Sequence, residues 1–197
     1  MIRKLPLIPT LIVAAAAAAM IALGLWQIRR AGEKELLLAR YRTAQTLPPI
    51  TFPTVPIGND QLPLFRHATG MCLNIVANRV TAGSNRAGEP GYSQILDCST
   101  GAEGPGMSVE VGWSKNPNAM VSWRGGLVSG IIAPDRKTRM RLVAATSPPG
   151  LEPSAPPSIS DIPNNHRAYA VQWFLFALIA LTIYILALRK RLKDGFA

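Results

Sequence analysis

The chain has 197 residues, a formal charge of +10 and 48 % hydrophobic residues, a length that bounds it to one or two ordinary domains. The charge is unevenly placed: residues 1–43 hold seven basic residues against two acidic, residues 167–197 five against one, and residues 44–166 nine against eight. The basicity therefore flanks two long apolar runs instead of forming a patch, which marks a membrane protein in contact with the lipid bilayer and removes the support for a nucleic-acid partner.

The first run covers about residues 5–28. Arg3 and Lys4 precede it, as in a signal peptide, but it is longer than a typical cleaved core and ends in Trp26-Gln27-Ile28-Arg29-Arg30, an aromatic-then-basic interface anchor. Residues 1–30 are accordingly expected to form a retained transmembrane helix with a cytoplasmic N-terminus. From Ala31 the helix is expected to continue to about Gln45 as a solvated stalk, in which Leu36, Leu37 and Leu38 interleave with Glu33, Lys34, Glu35, Arg40 and Arg42. Pro48, Pro49, Pro53 and Pro56 then enforce an extended segment, so that 31–61 forms the stalk and its Pro-rich end.

Residues 62–146 read as a small β-rich domain. The stretches 71–76, 92–96, 108–113, 127–132 and 140–144 are rich in branched residues and partly alternating, and clusters at 82–85, 86–91, 101–106 and 115–118 punctuate them. One antiparallel sheet, barrel-like or sandwich-like, is the economical arrangement for a segment of this size. Cys72 and Cys98 both fall here; in an oxidising compartment they could pair as a disulfide or remain two buried thiols, and spacing leaves both open. Neither belongs to a Cys-x-x-Cys, and His67 is a poor prior for a metal ligand. The carboxylates Asp97, Glu103, Glu110 and Asp135 are scattered and read as solvated surface charge. No nucleophile elbow, phosphate loop or His-Glu-x-x-His is present, so catalytic constellations are thin.

A Pro-rich linker at 147–163 leads to a second apolar run at 164–188. Between Ala168 and Leu188 no residue is charged, and at ~1.5 Å per residue this stretch matches the ~30 Å hydrocarbon core. Arg189, Lys190, Arg191 and Lys193 follow, so 189–197 is a cytoplasmic basic tail, both termini are cytoplasmic and the central domain lies outside, in a bacterial periplasm or its equivalent. Pro163 and Asn164-Asn165 are helix-start signals that place His166 in the first turn, where the helix N-terminus suits the neutral imidazole that ligates metals. His166, Tyr169, Ala170, Trp173, Ala177, Ala180 and Tyr184 share one helical face. From the residues alone, His166 is either an interfacial or capping histidine above an aromatic belt, or a ligand.

The sequence Asn164-Asn165-His166-x-x-Tyr169-Ala170-x-Gln172-Trp173-Phe174 resembles the C-terminal signature of the Surfeit locus protein 1 family of cytochrome c oxidase assembly factors. The likeness extends to Gly24-Leu25-Trp26-Gln27-Ile28-Arg29, to Gly88-Glu89-Pro90-Gly91-Tyr92 and to the Pro-Pro-Gly run before Pro163. The chain departs from the family at Val111-Gly112-Trp113, where Arg-Gly-Trp is common. The resemblance implies a non-enzymatic assembly factor of bacterial type in the inner membrane. It would hold haem a as transient cargo and assist its delivery to oxidase subunit I, with the haem a synthesis enzymes as further partners. His166 would be the axial ligand, because bacterial members place a haem-ligating histidine there. Arg167, Tyr169, Gln172, Trp173 and Trp26 complete the candidate site, with Arg167 able to pair with a propionate. Two other readings compete: a scaffold that binds oxidase subunits or assembly intermediates without haem, and a membrane redox enzyme, disfavoured because no acid or base accompanies His166.

Overall fold

The computed structural model describes residues 6–101 and 106–193. Arg3, Lys4, Glu103 and the end of the basic tail lie outside the described residues. The chain divides into two units, one comprising residues 1–37 and 163–197, the other 38–162.

The first unit is a helix pair. Helix α1 runs unbroken over Leu7–Thr46, and α2 covers His166–Lys193. Both are long and apolar enough to cross a membrane. At 40 residues α1 is about 60 Å long, twice the bilayer core, and its polar half begins at Arg29 where the apolar run ends. The helices are antiparallel: the Thr10 and Tyr184 hydroxyls hydrogen-bond at one end and His166 meets Gln27 towards the other. Small residues form the seam. Ala17, Gly24 and Ala31 of α1 are buried at seven-residue intervals, as are Ala170 and Ala177 of α2. Seven residues bring the same face round after two turns, and small side chains let the backbones approach, which is how helices associate without a hydrophobic driving force. Gly24 shows how close this is: a Cβ there would lie 2.6 Å from the Phe174 ring.

The second unit is built on a seven-stranded sheet: β1 (Ile50–Thr51), β2 (His67–Cys72), β3 (Asn74–Ser84), β4 (Pro90–Ser99), β5 (Met107–Ser114), β6 (Gly126–Asp135) and β7 (Arg139–Ala144). The spatial order is β1-β2-β6-β7-β5-β4-β3. Leu73 alone separates β2 from β3, so the chain steps from beside β6 at one end of the sheet to beside β4 at the other, and the sheet must curl into a barrel-like form. Cys72 at that step is bonded to Cys98 of β4, with Cα atoms 5.3 Å apart.

The sheet is mixed, which corrects the expected antiparallel one. β1 runs parallel to β2, and β5 parallel to β7. The cause of the second is topological: the chain reverses after β5, reverses again between β6 and β7, and then lays β7 beside β5, so the two point the same way. The turn expected at 82–85 is corrected too. Residues 82–84 finish β3, Asn85 bridges to Ser154, and the chain turns at Arg86 and Ala87, with the Asn85 side-chain oxygen accepting from the Ala87 and Glu89 N–H groups.

Phe52, Phe65, Leu96, Met107, Val109, Ile132 and Leu142 fill the interior. β5 is buried on both faces from Met107 to Trp113, because the Pro-rich segment packs on it: Trp113 and Glu152 exchange backbone hydrogen bonds of 2.7 and 2.9 Å. The Trp113 ring, 1 % exposed, lies against Gly91 and donates Nε1–H to the Gly83 carbonyl at 3.3 Å.

Three of the carboxylates read as solvated are not. Asp135 and Glu110 have side chains only 4 % exposed, and Asp97 14 %. Arg79 of β3 grips Asp135 with two nitrogens at 2.9 and 3.1 Å and reaches Asp97; Arg141 of β7 holds Glu110 at 2.7 Å; Lys137 closes on Asp97 at 2.9 Å. Burial alone would raise the Asp135 pKa, but the Thr138 N–H and hydroxyl and the Arg79 guanidinium outweigh it and hold the carboxyl at about 2. The residues come from five strands and a turn, far apart in sequence, which is why local pattern gave no warning of the network.

Candidate functional site

Helix α2 starts where Pro163 and the two asparagines predict. The Asn165 carbonyl accepts the Tyr169 N–H at 3.1 Å, closing the first turn with His166 as its first residue. His166 is half-buried on the seam, with Nδ1 2.7 Å from the Oε1 of Gln27 on α1. Next to it Arg167 is paired with Glu35, Nη2 lying 2.9 Å from Oε1 and 3.1 Å from Oε2. This pair is largely exposed, so it contributes little stability by itself, but it presents a cation at the rim.

Below the rim a cleft of about 420 Å³ opens between the helices. Ile28, Ala31 and Gly32 line it from α1, and Ala170, Val171 and Phe174 from α2, with Glu35 and Arg167 at its polar end. Gly32 has open space above its Cα, and Ala31 and Ala170 add only methyl groups. The small residues that let the helices approach thus also leave room beside them.

The predicted residues are only partly brought together. His166 and Arg167 are consecutive at the head of α2, and Arg167 lines the cleft while His166 meets Gln27 on the seam. Trp173 is half-buried, with its ring edge-on to Phe176 at 6.1 Å. Trp26, Tyr169 and Gln172 are exposed, Trp26 at 53 % and Tyr169 at 49 %, without a side-chain hydrogen bond or ring partner among the described residues. On the expected shared face Ala170 and Ala177 are buried and His166, Trp173, Ala180 and Tyr184 half-buried, while Tyr169 is exposed.

Two residues absent from the predicted site belong to it, Gln27 and Glu35. Gln27 had a signal: it is the polar residue closing an apolar run, where an unpaired amide is costly. Glu35 had none, since its place among stalk charges looks the same whether or not it has a partner.

Among the described residues no three His, Cys, Asp or Glu side chains gather to enclose a bare ion. What the arrangement offers is one imidazole, an apolar wall and a cation, a set that suits a large, mostly apolar group bearing a metal and a carboxylate better than it suits a hydrated ion. The β unit has a separate cavity of about 240 Å³ that touches His67, Arg86 and Ser154.

The family model that matches this chain is that of the SURF1 family, over residues 14–178, a span that takes in most of α1, the whole β unit and α2 as far as Leu178. No individually curated protein matches it.

Proposed function

The chain belongs to the SURF1 family, whose members are oxidase assembly factors, and on that premise we propose that it carries haem a. It sits in the bacterial inner membrane with both termini cytoplasmic and the β unit periplasmic. There it takes haem a from its synthesis enzymes and assists delivery to subunit I of a haem-copper cytochrome c oxidase. The observation that carries this reading is His166, half-buried on the helix seam, followed in sequence by Arg167, which lines an apolar cleft between the same two helices.

Each part of the cargo has a counterpart. The His166 imidazole would ligate the iron, the cleft and lipid-facing helix surfaces would take the macrocycle edge and the isoprenoid tail, and Arg167 would pair with a propionate. A single axial ligand at the mouth of a two-helix seam gives up its cargo more readily than a buried pair of ligands would.

The test is to co-express the full chain with haem a synthesis enzymes and purify it from membranes. Haem absorbance that vanishes in His166→Ala, while insertion and abundance persist, is the expected result. A chain that takes up no haem yet co-purifies with subunit I, equally well with and without His166, would sink the carrier in favour of a haem-free scaffold. For the topology, a reporter active only in the periplasm should stay silent when fused after Ala197; activity there overturns the two-span arrangement.

A further inference from the structure

Gln27 makes a contact that the carrier reading does not use. Its amide lies in the last turns of the apolar run, and its oxygen is spent on His166 Nδ1 at 2.7 Å, across 139 residues of sequence. An amide oxygen only accepts, and a neutral imidazole has a single N–H, so this contact fixes the proton on Nδ1 and leaves the lone pair on Nε2. Were the amide nitrogen facing the ring, the proton would sit on Nε2 and block that atom as a ligand.

We propose that Gln27 is the positioning residue of the site: it selects the His166 tautomer that presents Nε2 to a metalloporphyrin iron, and as a neutral acceptor it keeps that ligand weak enough for the cargo to leave. The proposal rests on the carrier reading for the identity of the metal group, while the tautomer is a property of the chain itself. The second half follows from the residue type. A histidine ligand whose outer N–H is held by a carboxylate becomes more basic and binds metal more tightly. Glutamine supplies the same geometry without the charge. A resident cofactor is served by the carboxylate; cargo is served by the amide.

The experiment has two arms, both on the full chain in lipid nanodiscs. In the first, ¹⁵N spectra of the haem-free chain read the imidazole tautomers. The chain has two histidines, so a His67→Gln variant assigns His166 at once. The expected result is Nδ1–H with a bare Nε2 in the unaltered chain and a mixture of tautomers in Gln27→Leu. A His166 with its proton on Nε2 overturns the proposal, as does a Gln27→Leu spectrum indistinguishable from the unaltered one.

In the second arm haem a is titrated into each variant. Gln27→Leu should lose about 10- to 100-fold in affinity, the usual effect of removing such an outer partner. Gln27→Glu should bind at least as tightly as the unaltered chain, shift the iron midpoint potential to more negative values, and slow transfer of haem to an apo-globin acceptor. Affinity lost in His166→Ala but unchanged in both Gln27 variants sinks the positioning role and leaves the carrier intact. Haem uptake that survives His166→Ala sinks the carrier and the iron-facing part of this proposal together.

Discussion

Removing both cysteines, as Cys72→Ala with Cys98→Ala, measures what the bond between them contributes to the β unit. It closes a loop with a sequence separation of 26. In the chain-entropy treatment a loop of that length restricts the unfolded chain by about 3.5 kcal/mol at 25 °C. The enclosed segment is β3 with its turn and most of β4, and the bond ties β2 to them at the point where the sheet changes partners. Cys72 and Cys98 are 1 % and 2 % exposed, so alanine is the better replacement; serine would add two buried hydroxyls and inflate the loss. Against a typical domain stability of ~5–15 kcal/mol, this is a large share. The assay is pulse proteolysis of the full chain in nanodiscs over a urea series, following fragments from the β unit. With a slope of about 1–3 kcal/mol per molar urea, the midpoint should fall by roughly 2 M. Reductant should lower the midpoint of the unaltered chain by a similar amount and leave that of the double variant unchanged. A shift below about 0.5 M in both experiments would refute the reasoning, since the step at Leu73 would then be held by packing and the ladder alone.

Gly24→Leu should force Phe174 out of the helix seam, an overpacking that costs about 1–3 kcal/mol, and should reduce disulfide cross-linking between Thr10→Cys and Tyr184→Cys in membranes. Trp113→Ala removes a ring 1 % exposed together with its hydrogen bond to Gly83, and should destabilise the β unit by about 3–5 kcal/mol in the same urea assay. Asp135 is held at about 2, below its ordinary 3.8, so its stabilisation is fully present above 3.8 and disappears as pH falls towards 2. The loss should be roughly 2 kcal/mol in urea midpoints taken across that window, and Asp135→Asn should be less stable at neutral pH with a flatter acid limb.

The two helices were legible in the sequence because a membrane-length apolar run is a one-dimensional signal, needing only length and the charges at its ends. The polar continuation of α1 through Glu33 and Arg42 could be read as well, since nothing there breaks a helix. Strand existence was legible from branched residues for β4 to β7. The stretch expected at 71–76 straddles the joint between β2 and β3, most of those two strands and all of β1 went unread, and strand partnership was not legible. Whether β7 lies beside β5 or beyond β6 depends on the third dimension, and so did the parallel pairs and the ion network around Asp135. The candidate site divides in the same way. His166 announced itself as an ionisable residue at the head of a span, and its neighbour Arg167 came with it. Their partners Gln27 and Glu35 lie on the other helix and could be identified only once the helices were side by side. Trp26, Tyr169 and Gln172 were drawn in by their place in a motif, and the fold leaves them exposed.

The one-residue joint at Leu73 imposes an order on the growing chain. β3 and β4 are neighbours in sequence and pair as a hairpin, and that hairpin brings Asn74 opposite Ser99, which sets Cys72 next to Cys98. A chain made only as far as Ser99 therefore already contains every residue the bond requires. β2 gains the antiparallel partner of its full length only when Gly126–Asp135 has been made; until then the ties within reach of it are this bond, the Leu73 N–H to the Ser99 carbonyl at 2.9 Å and the short β1.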